Sequence, residues 1–147
     1  MACYRNILLC YDSTREGRRA LIQGAELAQQ LAAETHLLAV VPEHSGSMVE
    51  PSEAGMREQE RQIEDVLREG VERLRARGLT AAGHLVFGDA VDQIPKVARE
   101  LGVDLIVVGY RRTSAMARWW TGPGKAELLD RVHCSILASI DLGDADQ

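Results

Sequence analysis

The sequence holds none of the compact motifs by which an enzyme or a metal protein is most readily read. No P-loop is present: Lys125 follows Gly124, but the upstream glycine position is Trp119 and the hydroxyl position is Ala126. No dinucleotide fingerprint follows the first apolar run, where the turn reads Asp12, Ser13, Thr14 without a glycine. His36, His44, His84 and His133 show no local metal spacing, and no motif marks a serine or cysteine nucleophile. Cysteine is scarce. Cys3, Cys10 and Cys134 lack redox or metal spacing, and on one strand Cys3 and Cys10 would stand roughly 23 Å apart at the usual strand rise. All three are expected as reduced thiols in a cytoplasmic protein, packed as small apolar side chains. No basic-then-apolar leader opens the chain and no apolar run approaches a membrane span, so no membrane partner is expected. A net charge of -5 over 147 residues argues against nucleic acid as a partner, and the length suits one domain, residues 1–147.

Against that background one stretch stands out, Val103 to Lys125. Leu105, Ile106, Val107 and Val108 form an unbroken apolar run, as in a strand buried on both faces of a parallel sheet. Gly109 is expected to end it. A loop follows with Arg111, Arg112, Arg118 and Lys125, then Gly122, Pro123 and Gly124 before a helix predicted over Ala126 to Val132. Strand, glycine, basic loop, glycine and helix N-terminus is the arrangement in which open α/β sheets hold anions, because free N–H groups and the positive dipole end face the crevice. A merely solvated basic loop is the competing reading.

The rest of the chain alternates in the same way. Tyr4 to Tyr11 reads as a buried strand ending beside Asp12, which either caps the next helix or accepts a hydrogen bond from a ligand. A helix follows from Thr14 to Ala33, begun by a capping box of Ser13 and Glu16, with a face of small residues that would lie close on a sheet. His36 to Val41 is the next strand, Glu43 to Ser52 a loop, and Glu53 to Arg77 the longest helix, with Glu64 to Arg68 and Glu69 to Arg73 pairs on its outer face. Leu79 to Phe87, a Gly88-Asp89 turn, and a helix disturbed by Pro95, through a kink or an irregular first turn, lead into the organising stretch. Cys134 to Ile140 is the last strand. Five strands alternating with helices predict a Rossmann-like α/β fold, a five-stranded parallel sheet of order 3-2-1-4-5 with helices on both faces. That order brings Asp12 and the Gly109 loop to one crevice.

These features resemble the universal stress protein family over the whole chain: the strand ending at Asp12, the Gly88-Asp89 turn, the strand Asp104 to Gly109, and the last strand from Cys134. The nucleotide-binding branch of that family carries a loop G-x-x-G-x(9)-G-[ST]. Here Gly109 and Gly122 fall at the matching separation, whereas Arg112 replaces the second glycine and Pro123 the hydroxyl residue. The resemblance implies an adenine nucleotide such as ATP, with magnesium as a candidate counter-ion. Asp12 would meet the adenine or ribose, Val41 would offer backbone groups to the base, and Gly109, Gly122, Gly124, Arg111, Arg112 and Lys125 would hold phosphates. It also implies a homodimer through Ser135 to Ile140, an edge that would otherwise invite unwanted pairing. Three readings stay open: a non-catalytic ATP-responsive stress protein; a dimeric relative that has lost ATP and acts through an unknown protein partner; and slow ATP hydrolysis or self-phosphorylation, for which no general base is evident. Trp119 and Trp120 either pack down on the domain or stand exposed as a lid or anchor.

Overall fold

The computed structural model describes residues 3–11, 15–41, 52–110, 128 and 130–140. Its elements run β1 (Asn6–Tyr11), α1 (Arg15–Leu31), β2 (Glu34–Val41), α2 (Glu53–Ala76), β3 (Ala81–Phe87), α3 (Ala90–Leu101), β4 (Leu105–Tyr110) and β5 (Ser135–Ile140). The five strands form one parallel sheet of order β3-β2-β1-β4-β5. Of the helix expected over Ala126 to Val132, Leu128, Asp130, Arg131 and Val132 are described; the first three are helical and Val132 is not. Ser13 and the side chain of Glu16 from the expected capping box, residues 42–51 of the loop after Val41, and Trp119 and Trp120 lie outside the described residues.

The unbroken apolar runs mean what they promised: Ile7, Leu8, Leu9, Leu105, Ile106, Val107 and Val108 are all buried. Because side chains alternate across a strand, β1 feeds two cores. Ile7, Leu9 and Tyr11 join Ala25, Ala28, Leu67, Val71 and Leu74 of α1 and α2, whereas Leu8 and Cys10 join Val91, Ile94, Val97 and Ala98 of α3. Gly24 lets α1 lie close on the sheet, since a Cβ there would fall 2.6 Å from Leu9 Cδ2.

Several boundaries differ from the sequence expectation, for backbone reasons. α1 stops at Leu31 and not at Ala33, because Ala32 turns into the left-handed region (φ 50°) and the Ala33 N–H closes back on the Ala28 carbonyl at 3.0 Å. β3 begins at Ala81 and not Leu79: the Leu79 N–H is spent on Leu74, finishing α2. α2 itself is capped by the Ser52 hydroxyl, which accepts from the Gly55 N–H at 3.1 Å. α3 runs without interruption through Pro95, and its first turn is regular, with the Gln93 N–H on the Asp89 carbonyl at 2.9 Å. On α2, Arg73 pairs with Glu69 at 2.6 Å as expected, but Arg68 takes Asp65 three residues back in place of Glu64. Cys10 is buried and Cys134 partly so, whereas Cys3 is exposed because it precedes β1; none forms a disulfide. Burial, and then the Asp104 carboxylate, pushes the Cys134 thiol up and keeps it protonated.

Candidate functional site

The sheet is clipped shut at one end and forked at the other. At the closed end, the Asp104 carboxylate just before β4 accepts the backbone N–H groups of Arg5 at 2.9 Å and Asn6 at 3.1 Å, just ahead of and at the start of β1. The Asn6 amide in turn donates to the Leu101 carbonyl at 2.9 Å, where α3 hands over to β4. From there β1 and β4 pair as Ile7 with Leu105, Leu8 with Ile106 and Leu9 with Val107, and among the described residues the pairing ends there.

Both strands nevertheless go on. β1 stays paired with β2 as far as Tyr11 with Ala39, and β4 stays paired with β5 as far as Tyr110 with Ile140. Each central strand follows its outer neighbour, and the two part beyond Leu9 and Val107. The cause is topological: the chain leaves β1 toward β2 and leaves β4 toward β5, so their C-terminal ends are pulled to opposite sides. Such a fork leaves backbone groups of both strands facing a gap, the general ligand position of open α/β sheets.

Of the residues expected to act there, the structure describes two. Gly109 is buried in β4, opposite Ser139, and the strand continues one residue past it to Tyr110. Val41 is the buried last residue of β2, and its carbonyl accepts the Gly88 N–H at 2.9 Å. Asp12, Arg111, Arg112, Gly122, Gly124 and Lys125 lie outside the described residues. Gly109 sits on the β4 arm of the fork, and Val41 ends the strand beside the β1 arm.

The Gly88-Asp89 turn is built for folding and leaves little to a ligand. Gly88 has φ of 129°, open in practice to glycine, and Asp89 caps α3 by accepting the Val91 N–H at 3.2 Å. With the Asp92 and Gln93 N–H groups on the Asp89 carbonyl, the N-terminus of α3 is satisfied by its own chain. On the other face, a cleft of about 360 Å³ runs between α1 and α2 over Leu37 and reaches Tyr11. Its floor is apolar and the Glu69 to Arg73 pair edges it.

Sequence reasoning missed the Asp104 clip. In the sequence Asp104 reads only as the start of the strand Asp104 to Gly109, and its partners are nearly a hundred positions away in the chain. Among the described residues no group of three or more His, Cys, Asp or Glu could hold a metal ion, and no helix is long and apolar enough to cross a membrane.

A sequence model of the universal stress protein family matches residues 3–139. A chain from Staphylococcus haemolyticus, named as a universal stress protein, is 29% identical over 140 residues, covering 93% of this chain and 85% of its own. A universal stress protein crystallised in complex with cAMP superposes with a TM-score of 0.68 at 22% identity, covering 94% of this chain and 97% of its own. The universal stress protein from Archaeoglobus fulgidus in complex with dAMP superposes at 0.64 and 19% identity, over 94% of this chain and 98% of its own.

Proposed function

The chain belongs to the universal stress protein family, and from that membership we propose that it is a non-catalytic stress-response protein that binds an adenine nucleotide at the fork between β1 and β4. The observation that carries the reading is the parting of the two central strands beyond Leu9 and Val107, which leaves Tyr11 at the end of one arm and Gly109 on the other; in the sequence Asp12 follows the first and the basic loop follows the second. The complexes of two similar folds with cAMP and dAMP support an adenine nucleotide as the class. Asp12 would accept from the adenine or ribose, and Val41 would face the base with its backbone. Gly109, Gly122 and Gly124 would admit phosphates close to the chain, with Arg111, Arg112 and Lys125 neutralising them.

ATP is the fuller form of the proposal, with magnesium as its counter-ion. The loop decides how well its phosphates are held. Pro123 supplies neither hydroxyl nor N–H, and two lost charge-assisted hydrogen bonds amount to about 3 to 6 kcal/mol, or roughly two to four powers of ten in affinity. Arg112, Arg118 and Lys125 would offset this by direct ion pairing. A thermal-shift titration with ATP, AMP and inorganic phosphate, with and without magnesium, tests the reading. A ligand bound only to the native state adds about 2.7 kcal/mol at a hundredfold excess over its Kd. Stabilisation by ATP or AMP and not by phosphate is expected; no shift with any of them would sink the proposal. Turnover of saturating ATP above background would remove the word non-catalytic.

A homodimer through β5 goes with this reading. β5 is the last strand of the sheet, and Leu137 on it is 43% exposed, a large apolar side chain on an edge. A twofold mass by light scattering at tens of micromolar, lost in Leu137→Lys, is expected; a monomeric wild-type mass would contradict it. A dimer that bound no nucleotide would favour the alternative of a pure protein-interaction module with a protein partner.

A further inference from the structure

Two histidines meet on the face of the sheet toward α3, away from the fork. His36 of β2 stands in register with Ala82 of β3, and His84 is two residues further along β3 on the same face. The diagonal brings His36 Nδ1 to 3.0 Å from His84 Nε2, with ring centroids 5.2 Å apart and the planes tilted by 40°. Both residues are half-buried. β3 is an edge strand, so the pair lies where solvent reaches it.

Two nitrogens at this separation, one from each ring, match the bite of a single metal ion. Ligands about 2.05 Å from one ion lie ~2.9 Å apart at a right angle and ~3.3 Å apart at a tetrahedral one. The observed spacing is near the right-angle value, the geometry of tetragonal copper(II) and nickel(II), and imidazole suits both. We propose that His36 and His84 form a two-histidine site for a tetragonal divalent transition ion, nickel(II) or copper(II), with water in the remaining positions.

Loading the site needs a tautomer change and a turn of the rings, because centroids 5.2 Å apart leave the two facing nitrogens pointing nearly at each other in the metal-free pair. In the metal-free pair one facing nitrogen donates its proton to the other. When the ion enters, that ring carries its proton on the far nitrogen instead, so both imidazoles stay neutral, each keeps one N–H, and no proton is released. Glu34, two residues before His36 on the same face of β2, places a carboxylate charge near the ion. With two protein ligands and no third ligating side chain among the described residues, the affinity is modest and the ion exchanges freely.

The test is a calorimetric titration of the chelator-treated chain with nickel(II) chloride. One equivalent is expected to bind, with His36→Gln and His84→Gln each weakening it at least about tenfold, since even the loss of an outer-shell partner costs that much. Metal-free circular dichroism establishes that each variant is folded. A measurement on the wild type alone closes the case if a variant fails to fold: the paramagnetic ion should broaden the nitrogen-15 amide resonances of residues 35–37 and 83–85 before all others. Absence of saturable binding, binding that survives both substitutions, or broadening first at His44, His133 or Cys3 would overturn the proposal.

Discussion

Gly24 lies over the root of the fork, and enlarging it is the most informative perturbation. Its missing side chain lies over the last paired rung of β1 and β4: a Cβ would fall 2.6 Å from Leu9 Cδ2 and 3.3 Å from Val107 Cγ1. Real Cβ atoms essentially never come within 3.0 Å of another heavy atom, and Leu9 is wholly buried, so its side chain can yield only by repacking the core around it. Gly24→Ala gains about 1 kcal/mol of helix propensity and loses roughly 1 to 3 kcal/mol to overpacking, a net cost between about 0 and 2 kcal/mol. Gly24→Val places two more methyl groups in the same space, and β-branching returns much of the propensity gain, so about 2 to 3 kcal/mol is expected. In a chain of this size that lowers Tm by roughly 4 to 12 °C. Urea unfolding followed by circular dichroism reads it, with the m-value unchanged if only the native packing has altered. Because the displaced rung is the root of the fork, nucleotide affinity should fall in the folded Gly24→Val protein as well. A valine variant as stable as wild type would refute the close approach of α1 to the β1 and β4 seam.

Three further outcomes follow from single contacts. Ala32→Gly removes a left-handed alanine from the end of α1 and should raise stability by up to about 1 kcal/mol, less the greater freedom of glycine in the unfolded chain, read as a shift in urea midpoint. Asp104→Ala opens the clip that takes the Arg5 and Asn6 N–H groups and should cost about 2 to 3 kcal/mol, with faster amide exchange at Asn6 in hydrogen-exchange measurements. Burial holds His36 and His84 below the usual histidine range, and His84 lowers His36 further, while Glu34 acts on His36 in the opposite sense. The folded state therefore prefers the neutral pair. Its contribution is complete above the unfolded value of about 6.5 and is lost as pH falls from there through the folded values. Metal-free wild type should lose stability over that window, and His84→Gln should lose less; equal slopes would contradict the assignment.

The fold was legible because its strongest signals are local. Four consecutive apolar residues in β1 and again in β4 mark strands covered on both faces, and right-handed crossovers then leave few orders besides 3-2-1-4-5. What escaped reading was decided by groups distant in sequence or by backbone closure. Asp104 looks like any residue before a strand until Arg5 and Asn6 arrive across β1. Nothing local says that Ala32 turns left-handed, or that the Leu79 N–H goes back to Leu74 and delays β3. His36 and His84 lie 48 positions apart, and only the β2 to β3 register brings their rings together. For the site, strand order alone placed Gly109 at the fork. The satisfied cap of α3 was half visible in Gly88-Asp89, where a glycine and an N-cap residue stand together.

The most direct test of the central claim is a nitrogen-15 NMR titration of the chain with AMP. The account predicts saturable shifts concentrated at Tyr11, Val41, Gly109 and Tyr110, the strand ends around the fork, with Asn6, Asp104 and the closed end of the sheet unmoved. Saturable shifts confined to any other part of the chain, or no shifts at millimolar ligand, would contradict it.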